Sequence, residues 1–269
     1  MAGNVQVAVA VAIFLVTYAI IISEKIHRTL IALFGAALLL VIGIVTYEMA
    51  IKSIDFNVIG LLVGMMLIVG LTKDSGIIEF GAVSIAKLGK GNPMFILISL
   101  SAMTAIMSAF IDNVTMILLT VPISISIAHK LEIEPLPIVF SEIMLSNVGG
   151  TATLIGDPPN LLIGSSAGLG FMDFFFNQAP VIAIIMVVVL LILWLMYRKQ
   201  LKVTSESRQR LMELDPSDEL KDKPLAIKAM VVMGLTVIGF VVHQYVNLES
   251  AAVAMAGASL LLLIVRPNP

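Results

Sequence analysis

Between Pro93 and Asn160 the chain is apolar enough to enter a membrane. Yet that stretch carries Asp112, Asn113, Glu142, Asn147, Asp157 and Asn160, together with two Gly/Pro-rich breaks. Hydrocarbon tolerates such groups only where they face protein or a wet cavity. The composition around them is that of a membrane protein. Hydrophobic residues make up 59% of the 269 and charged residues 13%, against about 45–50% and about 25% in a soluble domain. Cysteine is absent, which removes disulfides and thiolate metal sites.

The apolar runs divide the chain. Residues 5–22, 30–45 and 57–71 are expected as three spans, the second short and extended by its flanks. The first residues carry no Lys or Arg, and the run 5–22 is long enough to cross, so a cleaved signal peptide is not expected. Residues 47–56, with Glu48, Lys52 and Asp55, read as a loop. Gly60, Gly64 and Gly70 on the third span read as packing residues, since small side chains let helices approach closely in lipid. Residues 72–92 interleave polar groups with Ile77, Ile78, Phe80, Val83, Ile85 and Leu88, the pattern of a helix lying at the interface. Residues 179–197 form an unbroken span ending in Trp194 and Tyr197, which suit the membrane–water boundary. Residues 198–228 read as a solvated connecting loop with eight basic residues; 229–246 and 251–265 read as two more spans.

The basic residues choose the topology. With the N-terminus outside, Lys25 and Arg28 face the cytoplasm, Lys52 faces out, and Lys73, Lys87 and Lys90 face in. If residues 93–127 crossed once, all eight basic residues of 198–228 would lie outside, against the positive-inside rule. Two full crossings need roughly 40 residues and a turn, more than this segment holds. A re-entrant hairpin entering from the cytoplasm, with its tip near 111–115, puts fifteen of the sixteen basic residues inside.

The segment 137–167 reads as a broken helix. Pro137 opens it, Gly149 and Gly150 interrupt it, and TATLIGDPPN (151–160) is expected to be non-helical because Pro158 and Pro159 lack backbone donors. Broken helices offer carbonyls to cations and positive half-helix ends to anions, a common transporter design. Residues 32–43 (ALFGAALLLVIG) and 254–265 (AMAGASLLLLIV) match at an offset of 222, with seven of twelve positions identical. On the expected topology the two halves run in opposite directions, so 1–200 is a first repeat and 229–269 the start of a second, inverted one. A second hairpin and second broken helix have no counterpart in these residues; a chain completing the plan needs roughly 420.

SAFIDNVTMILLTVP (108–122) with SEIMLSNVGGTATLIGDPPN (141–160), and DFNVIGLLVGMM (55–66), resemble the ArsB/NhaD family of arsenite pumps and sodium–proton antiporters. That family lies in the ion-transporter superfamily with citrate-transporter-like domains, and the pattern is similar to its P-protein branch. The resemblance implies an all-α polytopic membrane protein with an inverted-repeat transporter fold, a homodimer, and movement of substrate by an elevator-like motion. In related dicarboxylate–sodium symporters the hairpin tip resembles Ser-Asn-Thr; here the matching place reads Asp112-Asn113-Val114-Thr115. A carboxylate there repels a dianion and suits sodium, a proton or neutral arsenous acid. Asp112 is therefore expected as the coupling carboxylate, with Asn113 and Thr115 as oxygen ligands or tip-fixing groups and sodium at Asp112 and Asn113. Ser146, Asn147, Gly149, Gly150, Thr151, Thr153 and Gly156 are expected to line the broken helix, and Asp157 and Asn160 to close the site. The alternative for Asp157 is a turn-fixing carboxylate before the prolines.

The expected function is secondary active transport, either arsenite or antimonite efflux or sodium–proton antiport. The alternatives are a half-transporter, inactive alone or needing a separate C-terminal half, and a di- or tricarboxylate or other anion permease. No cofactor is expected beyond Na+ or H+ as coupling ion. The expected partners are membrane lipid, a small inorganic or organic ion and a second copy of the chain, not nucleic acid. The expected location is the inner membrane, with the loop 198–228 cytoplasmic. Enzymatic readings find little support. There is no H-E-x-x-H and no phosphate-binding loop, and Leu154 stands where an intramembrane aspartyl protease motif needs glycine. His27, His129 and His243 fall at span ends, and the methionines read as lipid-facing or packing residues.

Overall fold

In a computed structural model, residues 2–246 and 248–266 are described; Asn247 and the last three residues of the segment 229–269 lie outside them. The described residues are all helix and connection, without strands, and divide into two units, 1–56 and 57–269.

The first unit holds α1 (Ala2–Ile22), α2 (Arg28–Val41) and α3 (Tyr47–Lys52). At 1.5 Å per residue, the 21 residues of α1 reach about 31 Å, enough for the hydrocarbon core. The expected second span stops at Val41 instead of 45, because Gly43 takes a left-handed backbone (φ 77°) and turns the chain. Gly35 is buried where α2 meets Thr17 of α1; it is the only buried residue among the described side chains of this unit. The expected loop 47–56 contains α3. Thr46 Oγ1 accepts the Met49 N–H (3.3 Å), with Glu48 in the first turn and Lys52 in the last, each matching the helix dipole.

The second unit begins with α4 (Phe56–Asp74) and α5 (Ile77–Leu88), followed by α6 (Pro93–Ser108) and α7 (Asn113–Lys130). Then come α8 (Leu136–Gly150), α9 (Pro158–Ala167), α10 (Phe171–Asn177) and α11 (Ala179–Tyr197). After α12 (Ser205–Met212) and a 3₁₀ turn (Pro216–Glu219), the chain enters α13 (Lys223–Val242) and α14 (Ser250–Val265). Of all these helices, α1, α4, α7, α11 and α13 are long and apolar enough to cross a membrane. The chain is a polytopic membrane protein.

Small residues on α4 seat α14. A Cβ on Gly64 would fall 2.6 Å from the Ala254 carbonyl carbon, and one on Gly60 2.9 Å from Ala251 Cβ. Gly70 meets nothing, so only two of the three expected packing glycines pack. Asn57 adds a polar tie. Its Oδ1 accepts the Ala251 N–H (2.9 Å) in the first turn of α14, whose own N-cap, Glu249, makes no side-chain bond there. α13 and α14 meet where Gly257 faces Thr236 Oγ1, with Ile68 of α4 behind.

Two expected segments differ in the structure. The presumed interfacial helix is α5, and its apolar face (Ile78, Ala82, Val83, Ala86) is buried against α6, α7 and the 3₁₀ turn instead of being left for lipid. The presumed solvated loop 198–228 is partly folded. Ser207 and Leu211 of α12 are fully buried, Ser207 Oγ donates to Glu132 Oε2 (2.9 Å), and Arg210 pairs with both Glu132 and Glu206. Lys87 Nζ reaches the Leu214 carbonyl (2.6 Å). These contacts pin the segment to the ends of α5 and α7. Its alternation of charges reads as solvated because the anchoring partners lie far away in sequence.

Candidate ion-binding site

The hairpin and the broken helix meet at their irregular ends. α6 ends at Ser108, four residues turn, and Asp112 opens α7 as its N-cap, Oδ1 accepting the Thr115 N–H (3.0 Å). Asn113 and Thr115, expected within the tip, are thus in the first turn of a helix. At 16 residues, α6 reaches about 24 Å, short of the hydrocarbon thickness.

The break is narrower than expected. Gly149 and Gly150 complete α8, and only residues 151–157 are non-helical. Pro158 and Pro159 open α9 in place of blocking it, because the first helical positions need no backbone donor. Asn160, expected in the unwound run, is accordingly helical and buried.

Hydrogen bonds tie the two irregular segments together. Asn113 Nδ2 donates to Asn147 Oδ1 (2.9 Å), and Ser146 Oγ donates to the Asn113 carbonyl (3.1 Å) and lies 3.4 Å from Ser108 Oγ. Thr153 Oγ1 donates to the Ala109 carbonyl of the hairpin turn. Asn160 Nδ2 donates to the carbonyls of Thr153 (2.8 Å) and Gly150 (3.4 Å), closing the break onto the end of α8. Gly156 must be glycine: a Cβ there would meet the Gly150 carbonyl and lie 2.7 Å from that of Ser108.

Asp157 stands directly before α9 and gives its side chain to no cap. It is half-buried and follows Gly156, which packs against the Ser108 and Gly150 carbonyls at the ends of α6 and α8. Two carboxylates are thus carried on the two segments, one on the hairpin turn and one on the break. The N-termini of α7 and α9 and the C-termini of α6 and α8 converge there, with their dipole ends of opposite sign side by side.

Of the expected residues, Asp112, Asn113, Ser146, Asn147, Gly150, Thr153, Gly156, Asp157 and Asn160 are brought together. Gly149 is turned elsewhere: a Cβ on it would run into the Ala105 backbone, so its smallness serves the close approach of α6 and α8. Thr151 Oγ1 is spent within its own turn, on the Val148 carbonyl (2.8 Å). Thr115 contributes its backbone N–H to the Asp112 cap. Two participants went unread, Ser108 and the Ala109 carbonyl; the first residues of the SAFIDN run, just before the acidic turn, could have signalled them. Among the described residues no three His, Asp or Glu side chains gather. A cation at this place would draw on amide, hydroxyl and carbonyl oxygens beside the two carboxylates.

A broken helix packed against a hairpin, in an all-helical membrane protein, is a design common in one class of membrane proteins, the transporters. Within that class the chain belongs to the citrate transporter family, whose model matches residues 18–266. It is 35% identical over 260 residues to an uncharacterised transporter of Mycobacterium bovis, covering 95% of this chain and 60% of that protein. It is 37% identical over 260 residues to the 46 kDa membrane protein of Mycobacterium leprae, covering 95% and 61%. It is 36% identical over 219 residues to the P protein of Mus musculus, covering 78% and 26%. The chain thus spans about three fifths of the length of its mycobacterial relatives.

Proposed function

We propose that the chain carries one half of the substrate site of a secondary active ion transporter, with Asp112 as the coupling carboxylate and Asp157 as its counterpart. The observation behind this is the placing of the two carboxylates, Asp112 on the hairpin turn and Asp157 on the break, in segments that hydrogen bonds join where four helix ends converge. Such a pair is relieved by taking up a proton or a small cation. Uptake on one side of a membrane and release on the other is the coupling step of an antiporter. Sodium–proton exchange and efflux of neutral arsenous or antimonous acid both fit a site of this charge. Charge counting supports a hairpin entering from the cytoplasm, an outside N-terminus and a cytoplasmic 198–228 segment in the inner membrane. A homodimer completes the reading.

The family match favours a second reading, a carboxylate such as citrate as substrate. A polyanion beside Asp112 and Asp157 requires neutralising cations, so citrate would travel with a metal ion or protons.

The test is flux in inside-out vesicles containing this chain. Sodium-dependent proton movement or arsenite uptake, lost in Asp112→Asn, is the expected result; citrate uptake dependent on a cation selects the second reading. Flux that appears only after co-expression of the remaining two fifths of a relative makes the chain a half-transporter. Undiminished flux in Asp112→Asn and Asp157→Asn overturns the assignment.

A further inference from the structure

Among the described residues one carboxylate is fully buried, and it is not part of the site above. Glu142 lies on α8 two turns before the break, with no exposed surface. Its Oε1 accepts the Ser124 hydroxyl of α7 (2.7 Å), while Oε2 is buried without a partner. Three hydroxyls of the facing helices are in the same condition: Ser101 and Thr104 of α6, and Thr120 of α7. Thr120 is one turn from Ser124 on the same side of α7, and Ser101 and Thr104 lie on the side of α6 whose Ala105 meets Gly149 of α8. The carboxyl therefore sits in a seam between three helices, and none of the three buried hydroxyls on α6 and α7 is hydrogen-bonded to Oε2.

No positive charge reaches it. α8 packs against α6, α7 and α11. α6 has no titratable residue, α11 has only Tyr197 at its end, and α7 has only His129 and Lys130, exposed in its last turn. Neither ion pair among the described residues includes Glu142. An unpaired carboxylate in such a place is expensive, and buried charges are neutralised or paired. A sodium ion would need a full shell of oxygens, and Oε2 has no polar partner in reach. A proton on Oε2 removes the charge without any further ligand.

We propose that Glu142 is a second proton-binding site, carried as a neutral carboxylic acid in the seam, with Oε1 still accepting the Ser124 hydroxyl and the proton on Oε2. Its proton is lost only when the hairpin loosens from α8, so its occupancy reports the packing of the hairpin and is separate from the exchange at Asp112 and Asp157.

Infrared spectroscopy of the purified 269-residue chain in detergent tests this without any transport assay. The expected result is a protonated-carboxyl band at neutral pH that disappears in Glu142→Gln and persists in the Asp112→Asn, Asp157→Asn double variant. The melting temperature of the native chain falls as pH rises from the ordinary carboxylate range towards and through neutral, because the unfolded chain ionises Glu142 first, while the shape-conserving Glu142→Gln variant lacks that fall. A missing band, a band that vanishes with the two aspartates instead, or one that appears only when sodium is withdrawn overturns the proposal. A Glu142→Gln chain whose melting temperature tracks pH as the native one does overturns it as well.

Discussion

The helix pair α1–α2 and the helix pair α13–α14 are built around the same contact. In the first, Gly35 faces Thr17 Oγ1; in the second, Gly257 faces Thr236 Oγ1. Gly35 and Gly257 are the glycines that coincide at the offset of 222. The internal match thus corresponds to a repeated side-chain contact as well as to similar letters. What differs is the seat. α14 rests on α4 through Gly60 and Gly64, takes its first-turn cap from Asn57 and buries Ala254, Ala258 and Leu261. In the unit of α1–α2, Gly35 is the sole buried residue among the described side chains. The contact within each pair is therefore a local property of the sequence, and the seat is supplied by another helix.

The comparison is broken most severely at the seat. In Gly64→Leu a Cβ meets the Ala254 backbone, which cannot yield as a side chain can, and about 3 kcal/mol or more of stability should be lost. Thermal unfolding in detergent reads this directly, with α1–α2 retained in limited proteolysis.

The next largest effect separates the two glycines. Replacing a helical glycine by alanine gains up to about 1 kcal/mol of helix propensity. Gly257→Ala must also displace Thr236 and press on Ile68, 3.2 Å away, so a net loss of about 1–2 kcal/mol is expected. Gly35→Ala has only the Thr17 side chain to move and should come out within about 0.5 kcal/mol of neutral. Equal losses at both positions would show that the two pairs are seated alike. Double-mutant cycles with Thr17→Ala and Thr236→Ala sharpen the point, because similar coupling energies at both contacts are expected.

Smaller again is Asn57→Ala, which removes the cross-helix cap on α14 and should cost about 1 kcal/mol. Faster amide exchange at the start of α14 is the readout. The smallest effect concerns the segment leading to α13. The Ser207 hydrogen bond, then Arg210, hold the Glu132 carboxyl below its ordinary value. Its contribution is present above the ordinary carboxylate pKa and lost as pH falls through the lowered one. Protease sensitivity within α12 should rise only under acid conditions, and Glu132→Gln should remove that pH dependence.

How far the fold was legible follows from what membrane sequences conceal. Span 179–197 coincides with α11; the hairpin was inferred from the placing of the basic residues, and the break from the glycines and prolines. The facing of each helix was not legible. On α4, Val58, Leu61 and Met65 are buried while Ile59, Val63 and Met66 are exposed, and all six are apolar. In lipid both environments select the same side chains, so periodicity carries no signal. Gly149 and Gly150 are likewise equal as letters. One admits the Ala105 backbone and the other borders the site, a distinction made by the crossing of α6 over α8. The fold of α12 escaped for the opposite reason: it is tied to Glu132, in the turn after α7, and the residue Leu214 just beyond it is tied to Lys87 of α5, polar residues far away in sequence.

The bond from Asn57 to Ala251 joins residues 194 positions apart. Closing so wide a loop adds little to the final free energy, since each doubling of length costs only about 0.6 kcal/mol, but it delays assembly, because distant contacts form late. A ribosome delivers α4 long before α14 exists. Until then Gly60 and Gly64 present an open groove to the bilayer, so maturation of this protein waits on the last helix described here.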